Sequence, residues 1–201
     1  MSTVSDTWKE FLETEPRESD LRDILAKKNK YAGLAAKTLH EKGLLFEKDL
    51  TNEDLQYIIE YVEPLQEEAW NMLLEKGPSN EDLQYIIKYV EPLREEVWNM
   101  LLEREPTNED LQYIIRWVTP LREEAGKKLL EKGLSNEGLR YIIEYVESLR
   151  SEAWNILLEK GPSNEDLQYI IWQVEPLREE AQEMLDKNHR RESLLEKILN
   201  S

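Results

Sequence analysis

The chain contains few of the residues that carry out catalysis or bind transition metals. It has two histidines, His40 and His189, and no cysteine. Neither histidine has a second histidine or a cysteine at the spacing of a zinc site, and without cysteine there is no disulfide, thiolate ligand or cysteine nucleophile. Glycine-rich phosphate loops, nucleophile elbows and His-Glu-x-x-His motifs are also absent from the sequence. We therefore expect no catalytic site, no metal and no other cofactor.

Carboxylates are the one abundant reactive group. The chain has 43 acidic and 26 basic residues among 201, for a formal net charge of −17. Carboxylates can act as general acids and bases, but here they recur with a fixed period on the polar sides of predicted helices, which is typical of a solvated face. The protein is therefore predicted not to be an enzyme. Direct binding to nucleic acid is disfavoured as well, because the net charge repels a polyanion and no continuous basic stripe is present.

The sequence also lacks the signals of membrane insertion and export. No apolar run approaches the ~18 residues that span a bilayer, and residues 1–18 contain no apolar core of a signal peptide. These observations predict a soluble, cytoplasmic monomer with no membrane partner.

Internal repetition sets the organisation of the chain. A segment that begins at Glu47 recurs from Glu75, Glu103, Glu131 and Glu159, each time after 28 residues. The near-identity of these copies indicates either recent duplication or derivation from a consensus sequence, and the irregular substitutions between them favour drift. The predicted parts are N-terminal capping helices at 1–46, five repeats at 47–74, 75–102, 103–130, 131–158 and 159–186, and a C-terminal capping helix at 187–201.

Each repeat is predicted to form two short helices, helix A and helix B. Thr51 is a typical helix N-cap, and Asp54 three residues later completes an acidic capping box. Helix A then runs over about 52–62, where Pro64 ends it and suits the first turn of helix B. Gly77 ends helix B. The apolar arc of each helix is wider than one repeat can bury, so the repeats must stack into an all-α solenoid, a right-handed superhelix of about fourteen helices.

The two-helix repeat resembles the HEAT, armadillo and tetratricopeptide class of α-solenoids, over essentially the whole chain. Its period of 28 residues is shorter than theirs, which is about 34 residues in tetratricopeptide proteins and about 40 or more in the other two. The resemblance implies a general role, that of a scaffold which presents an extended surface to a protein or peptide. It carries over no individual binding residue.

Two rows of residues are predicted to hold the repeats together. One tyrosine never changes between the repeats, and its ring is expected in the seam between neighbours, with the hydroxyl on water or a backbone group. An arginine at the start of helix B, replaced by Gln66 in the first repeat, is expected to pair with neighbouring glutamates or to stack on Trp98 and Trp154 four residues later. The rows are Tyr57, Tyr85, Tyr113, Tyr141 and Tyr169, and Arg94, Arg122, Arg150 and Arg178.

Positions that vary between repeats are the candidates for recognition, because the invariant ones are needed for stacking. The third repeat deviates most and carries a net charge of −1, whereas the first and last repeats carry −7 and −6. Gly126 replaces a tryptophan of both neighbouring repeats, which predicts a depression with an aromatic wall and nearby cations, suited to an acidic peptide. The candidate residues are Arg116, Trp117, Thr119, Gly126, Lys127 and Lys128, with Trp172 and Gln173 in the last repeat as the alternative.

The leading functional hypothesis is a non-enzymatic scaffold that binds a protein or peptide through these varied positions. One alternative is a structural or engineered repeat module with no natural ligand. Another is an acidic mimic of nucleic acid that occupies a basic DNA-binding protein.

The fourth repeat, 131–158, is predicted to be the least stable. Gly138 replaces the aspartate of the capping box, Leu134 replaces a proline found in three of the other repeats, and Ser148 replaces the proline between the two helices. A glycine within a helix and a lost cap each reduce stability.

Overall fold

A computed structural model describes residues 3–47 and 50–200 of the chain. In these residues the regular structure is helical throughout, with thirteen α-helices, five single 3-10 turns and no β-strand. The all-α prediction is confirmed, with thirteen helices in place of about fourteen. The helices are α1 (Val4–Glu13), α2 (Glu18–Ala26), α3 (Ala32–Glu41), α4 (Asn52–Tyr61), α5 (Gln66–Glu75), α6 (Asn80–Tyr89), α7 (Arg94–Glu103), α8 (Asn108–Trp117), α9 (Arg122–Glu131), α10 (Asn136–Tyr145), α11 (Arg150–Lys160), α12 (Asn164–Gln173) and α13 (Arg178–Leu199).

The chain divides into two compact units, Met1–Arg104 and Glu105–Ser201. In the first unit, α2 packs on α3, α4 on α5 and α6 on α7, and α4 also packs against α3 and α6. In the second unit, α8 packs on α9, α10 on α11 and α12 on α13, while α10 packs against both α8 and α12. Inside each unit, helices A and B thus pair within each repeat, and helices A of successive repeats pack on one another. Within each unit this is the arrangement of an all-α repeat solenoid.

The predicted N-caps start helix A of every repeat. Thr51 Oγ1 accepts a hydrogen bond from the Asp54 backbone N–H (3.1 Å), and the Asp54 carboxylate accepts one from the Thr51 N–H (3.2 Å). In the fourth repeat Ser135 caps α10 through the Gly138 N–H (3.3 Å), but Gly138 has no side chain with which to return the bond. The reciprocal capping box recurs at Ser79 and Asp82, at Thr107 and Asp110, and at Ser163 and Asp166.

The arginine row caps the carboxyl end of helix A. Each side chain of the row reaches back seven residues, across the 3-10 turn, and donates to a backbone carbonyl near the end of the preceding helix. Because carbonyls at a helix end lack partners within the helix, these bonds join the two helices of a repeat. This cap replaces the expected stacking on tryptophan, although Arg94 also lies 3.9 Å from the carboxylate of Glu91. The bonds run from Gln66 Nε2 to Ile59 O (2.8 Å), Arg94 Nε to Ile87 O (2.9 Å), Arg122 Nε to Ile115 O (2.7 Å), Arg150 Nε to Ile143 O (2.9 Å) and Arg178 Nε to Ile171 O (2.9 Å).

A residue in the left-handed conformation follows helix B, as the glycine at position 77 predicts. Gly77 has φ +71° and Gly161 has φ +75°, which glycine adopts without strain. Glu105 takes the same place before the third repeat with φ +53°, where a side chain is strained. The preceding residue, Arg104, donates to the Pro78 carbonyl (2.6 Å) and ties this loop to the loop 26 residues earlier.

The residues after the last repeat extend its helix B and do not form a separate helix. α13 runs unbroken for 22 residues, from Arg178 to Leu199. His189 and Arg190 stand where Gly77 and Pro78 end helix B of the first repeat. Without a glycine or a proline at this point, the helical hydrogen bonding continues.

Candidate interaction surface

Two predicted site residues, Arg116 and Trp117, lie on the last turn of α8, and a third, Thr119, lies in the 3-10 turn that follows. Arg116 is exposed, and its guanidinium carbon lies 4.9 Å from the ring centroid of Trp117, which is itself 50% exposed. Thr119 is exposed in the following 3-10 turn, where its Oγ1 accepts a long hydrogen bond from Arg122 Nη2 (3.4 Å). Arg116, Trp117 and Thr119 are therefore all exposed at this end of α8.

The ends of α10 and α12 present equivalent positions beside them. Tyr145 ends α10 and stacks on Tyr141, with 6.1 Å between the ring centroids. On α12, Trp172 is 77% exposed and Gln173 is exposed. Because α10 packs against both α8 and α12, these last turns lie next to one another. We call their residues the tip surface, which consists of Arg116, Trp117, Glu144, Tyr145, Trp172 and Gln173.

A shallow groove of about 430 Å³ adjoins the tip surface between the turn after α8 and the turn after α10. Thr119, Arg122, Tyr145 and Glu147 are among its lining residues. The Arg122 guanidinium lies 5.8 Å from the Tyr145 ring centroid, so its charge faces the aromatic ring while its Nε caps α8. Aromatic and cationic groups therefore meet at this groove, which is made by the loops and not by the depression predicted at position 126.

Gly126 does not form a depression, and this prediction is wrong. The residue is buried, and a Cβ added to it would lie 3.0 Å from Leu149 Cδ1 and 3.2 Å from Val146 Cγ2. The side chains of the following repeat therefore fill the space that a tryptophan occupies elsewhere. The tryptophans at the equivalent positions, Trp98 and Trp154, are 2% and 3% exposed. At these three positions, helix B faces the core.

Lys127 and Lys128 are exposed, but their described ion pairs are with glutamates of their own helix. Lys127 Nζ lies 2.7 Å from Glu123, and Lys128 Nζ lies 3.0 Å from Glu131. The hydrogen bond from Lys127 lowers the pKa of Glu123, and the same bond raises the pKa of Lys127. These lysines therefore belong to the salt-bridged face of α9 and not to the tip surface.

The tyrosine row has a more specific partner than the water or backbone group expected from the sequence. The Tyr85 hydroxyl donates to the Glu60 carboxylate of the preceding repeat, and Tyr169 donates to Glu144 in the same way. Burial raises the pKa of Tyr169, and the hydrogen bond to Glu144 raises it further. Glu60 and Glu144 hence hold the repeats together, although their column varies in sequence. Tyr57 instead donates to the backbone carbonyl of Asn29 (3.4 Å).

A second link between repeats runs through the capping-box aspartate. Asp166 accepts hydrogen bonds from Asn136 Nδ2 (2.8 Å), one repeat earlier, and lies 3.1 Å from Arg140 Nη1. Burial opposes ionisation of Asp166, but the hydrogen bonds from Asn136 and Ser163 outweigh it and hold its pKa below the usual range. Sequence reasoning missed this link, although an asparagine and an aspartate recur 30 residues apart in three places.

Both histidines lie at the surface of the described structure. His40 Nδ1 lies 3.7 Å from Glu68 on a surface that also includes Phe46, and both polar side chains are about half exposed. His189 is exposed on α13. Across residues 3–47 and 50–200, no group of three or more His, Cys, Asp or Glu side chains is arranged to hold a metal ion. Over the same ranges, no helix has both the length and the apolar character that a membrane span needs.

No protein-family model, no curated protein and no solved structure matches this chain. Its function is therefore inferred from the contacts and exposure of its own residues.

Proposed function

We propose that the protein is a non-enzymatic helical-repeat scaffold that binds a protein or peptide at the α8 end of the tip surface, through Arg116 and Trp117. The observation that carries this proposal is the exposure of Trp117 beside a cation. Glu60 and Glu144, which stand at the position of Arg116 in the first and fourth repeats, each accept a hydrogen bond from the tyrosine of the next repeat. Arg116 instead stacks on Trp117 at the surface. Exposed aromatic and arginine side chains are the residues most enriched in protein interfaces.

The charges favour a partner segment that carries a carboxylate next to an apolar side chain. The third repeat has a net charge of −1, against −3 and −2 for its neighbours in sequence, so an acidic segment is repelled least there. Arg116 supplies a planar donor for a carboxylate, and Arg122 at the adjoining groove supplies another. Trp117 offers a flat apolar face to the neighbouring side chain.

Fluorescence anisotropy with labelled peptides tests this proposal. A panel in which an aromatic residue is flanked by acidic, neutral or basic residues should bind in the order acidic, neutral, basic. The Trp117→Ala and Arg116→Gln variants should each weaken binding of the acidic peptide by about tenfold, the loss expected for an interface anchor. The matched control is Lys127→Ala with Lys128→Ala, which removes two exposed charges outside the tip surface.

The other outcomes separate the alternatives. Equal binding by the Trp117 variant and the parent contradicts the site, and a loss confined to Trp172→Ala would move it to α12. Preference for the basic peptides would favour an acidic nucleic-acid mimic. Absence of binding to every peptide would favour a structural or engineered module with no ligand.

A further inference from the structure

The extension of α13 beyond the last repeat carries an exposed apolar face. Leu194, Leu195, Ile198 and Leu199 are 59%, 55%, 69% and 75% exposed. Their spacing places them on one side of the helix. Lys187, Arg190 and Arg191 border this face on the preceding turns. Four large apolar side chains side by side on a surface helix are typical of a contact site.

The position of this face within the 28-residue period shows which part of a repeat it matches. Five periods of 28 residues, or 140 residues, separate Leu195, Ile198 and Leu199 from the core residues of α4 in the first repeat. Those residues, Leu55, Ile58 and Ile59, are 0% exposed. The extension therefore repeats the buried side of a helix A, although here it continues a helix B.

The last repeat has an open face that a further helix A would cover. In earlier repeats, Glu60 and Glu144 accept hydrogen bonds from Tyr85 and Tyr169 of the next helix A. The equivalent residue of the last repeat is Trp172, which is 77% exposed. α12 packs against α10 and α13, and the face bearing Trp172 belongs to the position of the next helix A.

The extension cannot reach this face in its own chain. No glycine or proline occurs between Arg178 and Leu199, so α13 has no point at which to turn back. At about 1.5 Å per residue, Leu195 lies about 15 Å along the helix axis from Leu185, the last buried residue of α13. A second molecule can bring to this face the apolar side chains that the extension of α13 does not.

We infer that a second copy of this chain is the occupant. The extension of each copy packs across the open face of the other copy's last repeat, with Leu195, Ile198 and Leu199 against the side that bears Trp172. The contact is reciprocal, as a twofold dimer requires. Charge supports this partner, because residues 187–201 have a net charge of +2 whereas the last repeat has −6. The dimer replaces the monomer expected from the sequence alone, and its proposed contact does not use Arg116 or Trp117.

Sedimentation velocity on the full chain over a range of concentrations tests the inference. The parent should form a dimer, and Leu195→Glu with Ile198→Glu should weaken dimerisation by about tenfold or more. Both residues are exposed in the single chain, so the circular dichroism spectrum of this variant should match the parent. The control is Val4→Ser, which replaces an apolar residue that is 40% exposed on α1 and should leave the dimer intact. A parent that is monomeric throughout, or a dimer that survives the double substitution, overturns the inference.

Disulfide trapping distinguishes this dimer from a simple pairing of two extensions. The chain has no cysteine, so single substitutions give clean crosslinks. A mixture of the Trp172→Cys and Ile198→Cys variants should yield a mixed disulfide between copies under mild oxidation. Failure to form this disulfide in a mixture that dimerises overturns the exchange.

Discussion

Leu134 lies over Gly138, so that a Cβ added to Gly138 would come within 2.9 Å of Leu134 Cδ2. The close atom is the end of a flexible side chain, and the first repeat already combines a buried leucine, Leu50, with the capping-box residue Asp54. A leucine and an aspartate at these two positions are therefore compatible. The capping-box aspartate that the fourth repeat lacks can be introduced at position 138.

We predict that Gly138→Asp raises the free energy of unfolding by about 1–2 kcal/mol. The substitution restores the capping box and removes a glycine from a helix. It also offers an acceptor to Asn108, because Asn52 and Asn136 each donate to an aspartate 30 residues later. Urea unfolding measures the effect. Gly138→Ala separates the two causes, since it should recover less than half of the gain, and a lower stability of Gly138→Asp would mean that Leu134 cannot move aside.

Hydrogen exchange should locate the weakness in the fourth repeat. Residues 134–150 should exchange faster than residues 79–95, because the second segment retains both its capping box and its proline. Segments with fewer stabilising contacts open with a lower local free energy. Gly138→Asp should slow exchange in 134–150 and leave 79–95 unchanged. Equal protection of the two segments in the parent would show that the lost cap is compensated elsewhere.

Most of the local structure could be predicted because its signals are local. Thr51 and Asp54 form a cap within four residues, and Pro64 and Gly77 end helices through their own backbone restrictions. The continuity of α13 could also have been read from the sequence, because His189 stands in the place of Gly77. These features need no knowledge of how repeats pack.

The candidate site was predicted less well because exposure depends on neighbouring helices. Trp98 and Gly126 occupy equivalent positions on helix B, and only the structure shows that both are buried, Gly126 against Val146 and Leu149 of the following repeat. Each arginine of the row bonds to a carbonyl of the preceding helix, on the other side of a chain reversal. The seven-residue spacing in the sequence does not by itself predict such a bond. The exposure of Arg116, Trp117 and Thr119 could be predicted because it depends on a single helix end.

The cap on α10 can be tested at Arg150. Arg150→Leu should lower the free energy of unfolding by about 1.5 kcal/mol, because the Ile143 carbonyl loses a charged donor. Arg150→Gln should lower the free energy of unfolding by less than half as much, since Gln66 makes the same bond in the first repeat at 2.8 Å. Thermal and urea unfolding of both variants provide the comparison. Equal losses would indicate that the charge or the length of the arginine matters more than the cap.

The packing at Gly126 predicts that the consensus tryptophan is not accepted there. Gly126→Trp should lower the free energy of unfolding by about 1–3 kcal/mol, because Leu149 and Val146 already fill the space and must be displaced. Gly126→Ala should change it by less than about 1 kcal/mol, because the better helix propensity of alanine offsets a tight contact. Urea unfolding again gives the values. A more stable Gly126→Trp would mean that Val146 and Leu149 of the fourth repeat can rearrange to accommodate the tryptophan.

The bond between Tyr169 and Glu144 predicts a loss of stability at alkaline pH. Burial, followed by the hydrogen bond to Glu144, raises the pKa of Tyr169 above the ordinary value of 10.0 in the folded chain. The folded state therefore keeps this proton at a pH where the unfolded state releases it. The resulting stabilisation is complete below pH 10 and is lost as the pH rises through the folded-state pKa.

Tyr169→Phe should unfold more easily at neutral pH and show a smaller further loss of stability above pH 10. Glu144→Gln should lower the pKa of Tyr169 while retaining an acceptor, which a near-ultraviolet titration of tyrosinate can follow. An unchanged alkaline profile of Tyr169→Phe would assign the loss to the other tyrosines of the row, Tyr85 first, because it makes the same bond to Glu60.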